Sequence, residues 1–239
     1  MSISFSEAVN GTGIVQQTRG LMRVDSSQWP TSKIVNSANN WLDFVAGYAI
    51  GADRKFQWDD TNHSALPEGT TDLTADQVDY SFLTDEQGNT IVTLLGVSLL
   101  EDGEYKPLKV VDRNDEDYNG ATFGAESGTP TSYDKIADNI IRLNREPAST
   151  VSDALKFYFQ RTPSYFVATD TTKTPGVSPL LHRGFIIASA YDGALTLGLP
   201  TLQALGIERE KEENKVIQAF ADRNNDADRG FRTSNHSNK

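Results

Sequence analysis

The 239-residue chain contains no cysteine. Disulfides, thiolate-ligated zinc and cysteine nucleophiles are therefore excluded outright, and synthesis in a reducing compartment is the simplest fit. Histidine is nearly as scarce: His63, His182 and His236 are the only three. No stretch approaches the ~18 apolar residues that cross a bilayer. Met1 to Asn10 has no basic segment followed by an apolar one, so the expectation is a soluble protein without an export signal.

Motifs that carry chemistry are missing as well. There is no G-x-x-x-x-G-K-[ST] loop to wrap phosphates, no G-x-G-x-x-G, no G-x-S-x-G elbow and no H-E-x-x-H. A serine triad would need a histidine beside an acid and a serine, and no local sequence supports one. His182 reads as a surface or cap residue in the first turn of a helix. Carboxylates abound, but their abundance says nothing about the spacing that a glycosidase pair requires. The reading is therefore a protein that is not an enzyme, with no catalytic, cofactor-binding or metal residues assigned and no cofactor.

Basic residues are scarce in one place only. Met1 to Pro67 holds five basic and six acidic side chains, Glu68 to Glu126 three and fourteen, and Ser127 to Lys239 fourteen and thirteen. The whole formal charge of −11 thus falls in the middle segment. Such a field repels phosphate backbones and keeps a surface solvated.

The hydrophobic pattern divides the chain in the same way. Residues 1–28 are mixed, with Gly11, Gly13 and Gly20 interrupting any helical period, and read as short helix or loop. From Thr31 to Trp58 the positions Ile34, Ala38, Trp41, Val45, Tyr48, Ala52 and Phe56 recur in steps of three and four, the period of an amphipathic helix. Gly47 and Gly51, one turn apart, leave room for a second helix or are simply tolerated.

The period then changes to two. Val78, Tyr80 and Phe82 alternate with polar residues, and Ile91 to Leu100 is rich in apolar and β-branched side chains. Asp102-Gly103 predicts a hairpin into Tyr105 to Val111. Ser132 to Ile136 and Ile140 to Leu143 flank Asp138-Asn139, and Leu155, Phe157 and Phe159 alternate with Lys156, Tyr158 and Gln160. Aromatics at alternate positions point to core packing.

Helix returns after Ser178-Pro179, with Leu181, Phe185, Ala188 and Leu195 on one face and Gly198 and Pro200 as stops. A second helix is predicted from Thr201 to about Ala221, with Glu208–Lys211 and Glu212–Lys215 pairs on a wet face. Past Asp222 the composition is that of a polar tail which orders on a partner.

The expected fold is α+β, with helical N- and C-terminal segments flanking an antiparallel β-barrel or sandwich-like middle domain. The expected parts are a helical segment over 1–67, an acidic β-rich domain over 68–170, C-terminal helices over 171–221 and the tail over 222–239.

One stretch fits a ligand motif. Asp115, Asp117, Asn119, Gly120 and Glu126 satisfy D-x-[DN]-x-[DN]-G-x5-E, in which alternate oxygens wrap a calcium ion. The context is a strand before and Gly128-Thr129-Pro130 after, not two helices, so the stretch reads as an acidic loop.

The β-rich middle also resembles a known family. Tyr105-Lys106-Pro107-Leu108, Val111-Asp112-Arg113, Gly128-Thr129-Pro130, Tyr133-Asp134, Asn139-Ile140-Ile141-Arg142-Leu143, Pro147 and Leu155-Lys156-Phe157-Tyr158-Phe159-Gln160-Arg161 are similar to a succession of strands and turns in head-to-tail connector (adaptor) proteins of tailed bacteriophages. Thr174-Pro175-Gly176 and His182 continue the likeness, which covers roughly residues 70–200. The acidic loop at Asp115 to Asn119 lies outside the pattern, and only one of two usual prolines is kept, at Pro147.

The resemblance implies a homo-oligomeric ring, about twelve-fold, in which one heterologous interface repeats by rotation. It implies a virion neck component assembled in the host cytoplasm, bound to the portal protein on one side and to a neck or tail protein on the other. DNA would pass through without sequence-specific binding. The acidic segment either faces that channel or forms an outer rim. The rival reading, from a different class, is a carbohydrate- or calcium-binding β-module of a phage tail or surface protein, which exposed aromatic platforms on a sheet would favour.

Overall fold

A computed structural model describes residues 3–7, 9–52, 68–85, 88–111 and 122–227, with side chains described to 51 in the second helix and to 221 in the last. The chain is α+β. It divides into two compact units, one helical and drawn from both ends of the sequence, the other a β unit drawn from the middle, up to Thr162. The segment Pro163 to Asp170, expected in the β domain, belongs to the helical unit.

The helical unit contains α1 (Ile14–Met22), α2 (Thr31–Ala52), α3 (His182–Leu197) and α4 (Leu202–Ala227), with a 3-10 turn at Pro179–Leu181 leading into α3. The glycines that obscure α1 in the sequence have separate roles. Gly13 is its N-cap; a Cβ there would stand 2.4 Å from the Glu7 amide nitrogen. Gly20 sits inside the helix, and a Cβ there would meet nothing within 4 Å.

α2 starts after Pro30, whose carbonyl accepts from Lys33 and Ile34. Ile34, Ala38, Trp41 and Val45 are buried as their spacing predicts, joined by Leu42, Ala46 and Ala49. Tyr48 is 39% exposed instead, because the buried stripe drifts toward the alanines. Phe56 lies outside the described residues.

α3 is the centre of this unit. It contacts α1, α2 and α4, and its residues from His182 to Ala190 are buried apart from Arg183. A single apolar face was expected; a helix surrounded by three others needs apolar or small residues all round. The small ones admit large neighbours. A Cβ on Gly184 would fall 2.4 Å from Cζ2 of Trp41, and one on Gly193 would fall 2.3 Å from Sδ of Met22. Gly198 ends the helix in the left-handed conformation at φ 64°.

α4 runs to Ala227, past Ala221 and into the stretch read as tail. Adding a residue to an existing helix costs far less than nucleating one, so polar residues continue it. Residues 228–239 lie outside the described part.

The β unit has two four-stranded sheets. In one, β1 (Glu68–Leu73), β8 (Val151–Arg161), β3 (Ile91–Glu101) and β4 (Glu104–Pro107) lie in that order; in the other, β2 (Asp79–Ser81), β7 (Ile140–Leu143), β6 (Ser132–Ala137) and β5 (Lys109–Val110). The Asp102-Gly103 hairpin is present, with φ 53° and 82°. β1 has no sequence signal, because only Leu73 of its six residues is buried. Its Gly69 is where the Phe157 ring lies, 2.9 Å from a would-be Cβ.

The sheets do not close into a barrel, which corrects that part of the expectation. Each corner is crossed by the chain and not by a ladder. β4 ends at Pro107, Leu108 donates to the Val97 carbonyl, and β5 then pairs in parallel with β6. At the other corner, between β1 and β2, the Thr74 amide donates to the Tyr80 hydroxyl at 2.9 Å. One hydrophobic cluster spans both sheets, with Leu94, Val97, Leu155, Phe157 and Phe159 from the first and Tyr80, Tyr133, Ile141 and Leu143 from the second. Phe82 and Phe157 rings stand 4.1 Å apart in it.

Candidate functional site

The side chains singled out in the sequence do not converge on one place. His63 and His236 lie outside the described residues, as do Asp115, Asp117, Asn119 and Gly120 of the calcium-like motif. Its last member, Glu126, is exposed, and its carbonyl accepts from the Glu146 amide at 2.8 Å. Among the described residues no group of three or more His, Asp or Glu side chains is placed to hold a metal ion.

His182 corrects the expectation of a surface or cap residue. It is 1% exposed; Nδ1 accepts from the Ile3 amide at 3.1 Å, and Nε2 lies 2.9 Å from the Val177 carbonyl oxygen. The imidazole pins the N-terminal segment at Ile3, and the turn just before it at Val177, to the start of α3.

Most of the resemblance-bearing residues lie in the β unit; Thr174, Pro175, Gly176 and His182 belong to the helical unit, and Asp112 and Arg113 lie outside the described residues. Phe157 and Phe159 lie in the core, with Tyr133 and Asp134 buried on β6. The Lys156 ammonium lies 2.8 Å from the Glu68 carboxylate and over the rings of Tyr105 and Tyr158 at 5.3 and 5.6 Å. The glutamate bond raises the Lys156 pKa, and burial opposes the shift. The Tyr105 hydroxyl donates to the Asp153 carbonyl at 2.7 Å. The two tyrosines thus hold a cation of their own chain. Gly128, Thr129, Pro130 and Pro147 rim a cleft of about 200 Å³ floored by Leu73, Leu99 and Ala154.

Several large apolar side chains of the helical unit are left uncovered. Leu180 is 84% exposed, Leu195 57%, Ile207 53% and Leu21 44%. Between the N-terminal segment, α1 and α3 runs a groove of about 450 Å³, floored by Ile186 and Ile187 and walled by Ile3, Gly20 and Leu21, with Arg183 at its edge.

Arg183 also ties α3 to α4, reaching Glu208 at 2.8 Å and Glu212 at 3.5 Å. The predicted Glu208–Lys211 and Glu212–Lys215 pairs form, each at 2.7 Å. Lys211, and then Arg183, holds the Glu208 carboxyl below its usual range. The face is not uniformly wet, because Glu212 is 2% exposed. The signal was present in the spacing of Leu205, Glu212, Val216 and Phe220, which places Glu212 on the inner stripe. Further along, Arg209 bonds Asp192 and Glu213 and lies 5.0 Å from the Tyr191 ring centroid.

Tyr165 joins a loop to α2 by donating to Asp43 Oδ1 at 2.5 Å. Burial first, and then the bond to the carboxylate, pushes its phenol up to about 12. Between the ordinary tyrosine value of about 10 and that value, the folded protein keeps a proton that the unfolded chain has lost, so stability falls as pH rises through the window. Burial pushes the Tyr80 and Tyr133 phenols up as well, so an absorbance titration at alkaline pH is expected to show several late-ionising tyrosines, of which Tyr165→Phe removes one. A Tyr165→Phe difference curve centred near the ordinary value contradicts this assignment.

No protein-family model matches the chain, and no curated protein matches it.

Proposed function

We propose that the chain is a structural subunit of a tailed-bacteriophage neck. In this reading, copies assemble into a ring of about twelve that joins the portal to the tail and conducts DNA. The observation that carries it is the exposed apolar side chains of the helical unit: Leu21, which walls the groove at Gly20, and Leu180, Leu195 and Ile207. Apolar surface of this kind is what a neighbouring subunit covers. The connector resemblance says which assembly to expect.

Charge gives the β unit a matching part. Ser64 to Thr162 holds eighteen acidic and eight basic side chains, while the rest of the chain holds fifteen and fourteen. A surface with so large an excess of carboxylates repels DNA and gives phosphates few cations for counterion release, so a duplex passes without adhering. The carbohydrate-binding alternative draws less support, because the Tyr105 and Tyr158 rings flank Lys156 and are not an open platform for a sugar.

The tail supplies the portal contact in this reading. Removing Asp228 to Lys239 leaves α4 intact to Ala227, so melting is expected to stay unchanged while portal affinity falls at least about tenfold, or about 1.4 kcal/mol. Binding measured by interferometry with the portal ring immobilised checks it. Unchanged affinity removes the tail from the interface, and a full-length chain that does not bind contradicts the reading itself.

A further inference from the structure

Residues 3–7 form a strap across the helical unit. The Phe5 amide donates to the Lys173 carbonyl at 2.6 Å and the Ser6 amide to the Thr171 carbonyl at 3.1 Å; the Ser4 and Phe5 carbonyls accept from Ile14 and Val15, each at 3.0 Å. Phe5 is fully buried, with its ring stacked on Phe166 at 4.8 Å. The first described residue of the strap, Ile3, is held by the His182 ring.

Those two ring contacts, to Ile3 and to Val177, fit one tautomer. A backbone N–H pointing at Nδ1 requires a lone pair there, and a carbonyl facing Nε2 requires a proton there. The neutral Nε2–H tautomer supplies both. Protonation of Nδ1 sets two donors against each other at Ile3 and adds a charge in a site that is 1% exposed.

We propose that His182 is a proton-sensitive latch, holding the strap closed while its imidazole is neutral and releasing it on protonation. Among the described residues, these charged groups on the surrounding elements have partners of their own. Arg183 of α3 bonds Glu208 and Glu212 of α4, and Lys173 donates to Ser164 Oγ and the Tyr165 carbonyl. Glu7 of the strap accepts from Asn10 and Thr12, and Arg19 of α1 donates to the Trp29 carbonyl and Thr31 Oγ1.

Ile3 is also a wall of the groove floored by Ile186 and Ile187. Release of the strap therefore widens that groove, and proton uptake becomes coupled to the shape of an apolar surface. The closed state holds a neutral ring and the open state takes up a proton below the ordinary histidine value of about 6.5. Opening is thus favoured as pH falls through that range. With one proton taken up per opening, the open-to-closed ratio rises about 30-fold between about pH 7.5 and about pH 5.

Native-state hydrogen exchange on the full chain tests this, using protection factors so that the intrinsic pH dependence of exchange is divided out. The Phe5 and Ser6 amides are expected to lose about 30-fold in protection across that range, while the Leu155 amide in the β unit keeps its own. His182→Asn retains an acceptor near the Nδ1 position and does not titrate there, so its strap protection is expected to be flat with pH. Constant strap protection in the wild type overturns the latch. So does an equal loss at Leu155, or an equal loss in His182→Asn.

Discussion

Asp85→Ala is expected to cost the protein about 3–5 kcal/mol, because it removes one half of a buried ion pair and leaves the other half in place. Asp85 and Arg161 side chains are 4% and 6% exposed and meet at 3.3 Å. The same carboxylate accepts from the Asn89 amide at 2.7 Å and from its side-chain nitrogen at 2.9 Å, so it also fixes the turn before β3. At roughly 2–4 °C per kcal/mol for a chain of this size, the melting temperature of the β unit falls by about 6–20 °C. The double variant Asp85→Ala/Arg161→Met is expected to recover part of that loss, since it no longer buries a guanidinium that has lost its Asp85 bond. Thermal melts followed by near-ultraviolet dichroism check both, and a double variant as unstable as the sum of its parts contradicts the account.

Phe185→Ala is the second large effect, expected at about 3–5 kcal/mol, against about 0.5 kcal/mol or less for Leu195→Ala. The two residues share one predicted face of α3, yet Phe185 is fully buried and Leu195 is 57% exposed. Phe185 meets the Phe166 ring edge-on at 6.2 Å, and Phe166 in turn stacks on Phe5. Truncation there empties the centre of the helical unit and loosens the strap. Denaturant melts followed at 222 nm separate the outcomes, and equal losses for the two variants contradict the packing described.

That pair shows where the sequence is legible and where it is not. Period places most of α2, β2, β7 and the alternating run from Leu155 to Phe159 of β8, and turn chemistry places the hairpin at Asp102-Gly103; the single strand expected over Tyr105 to Val111 is instead split between the two sheets as β4 and β5, both exposed. β1 escapes notice because a strand covered on one face by a single aromatic ring needs a glycine, not an apolar stripe, and Gly69 carries no strand signal. α3 is misread as one-faced because Gly184 and Gly193 carry no apolar signal in sequence, whereas in the fold they are the places where Trp41 and Met22 come close. The barrel expectation fails at Pro107, where the chain changes sheets without a ladder between them. His182 is legible as a helix-start residue, but its partner, Ile3, lies at the far end of the sequence. The calcium-like motif and most of the tail lie outside the described residues.

The central claim is that copies of this chain close into a ring on a portal. Mass photometry of the purified chain mixed with its portal ring is the direct measurement. The account predicts a single complex whose mass exceeds the portal's by a fixed multiple of 26.3 kDa, about twelve copies. Free 26.3 kDa monomers beside an unshifted portal peak would contradict it.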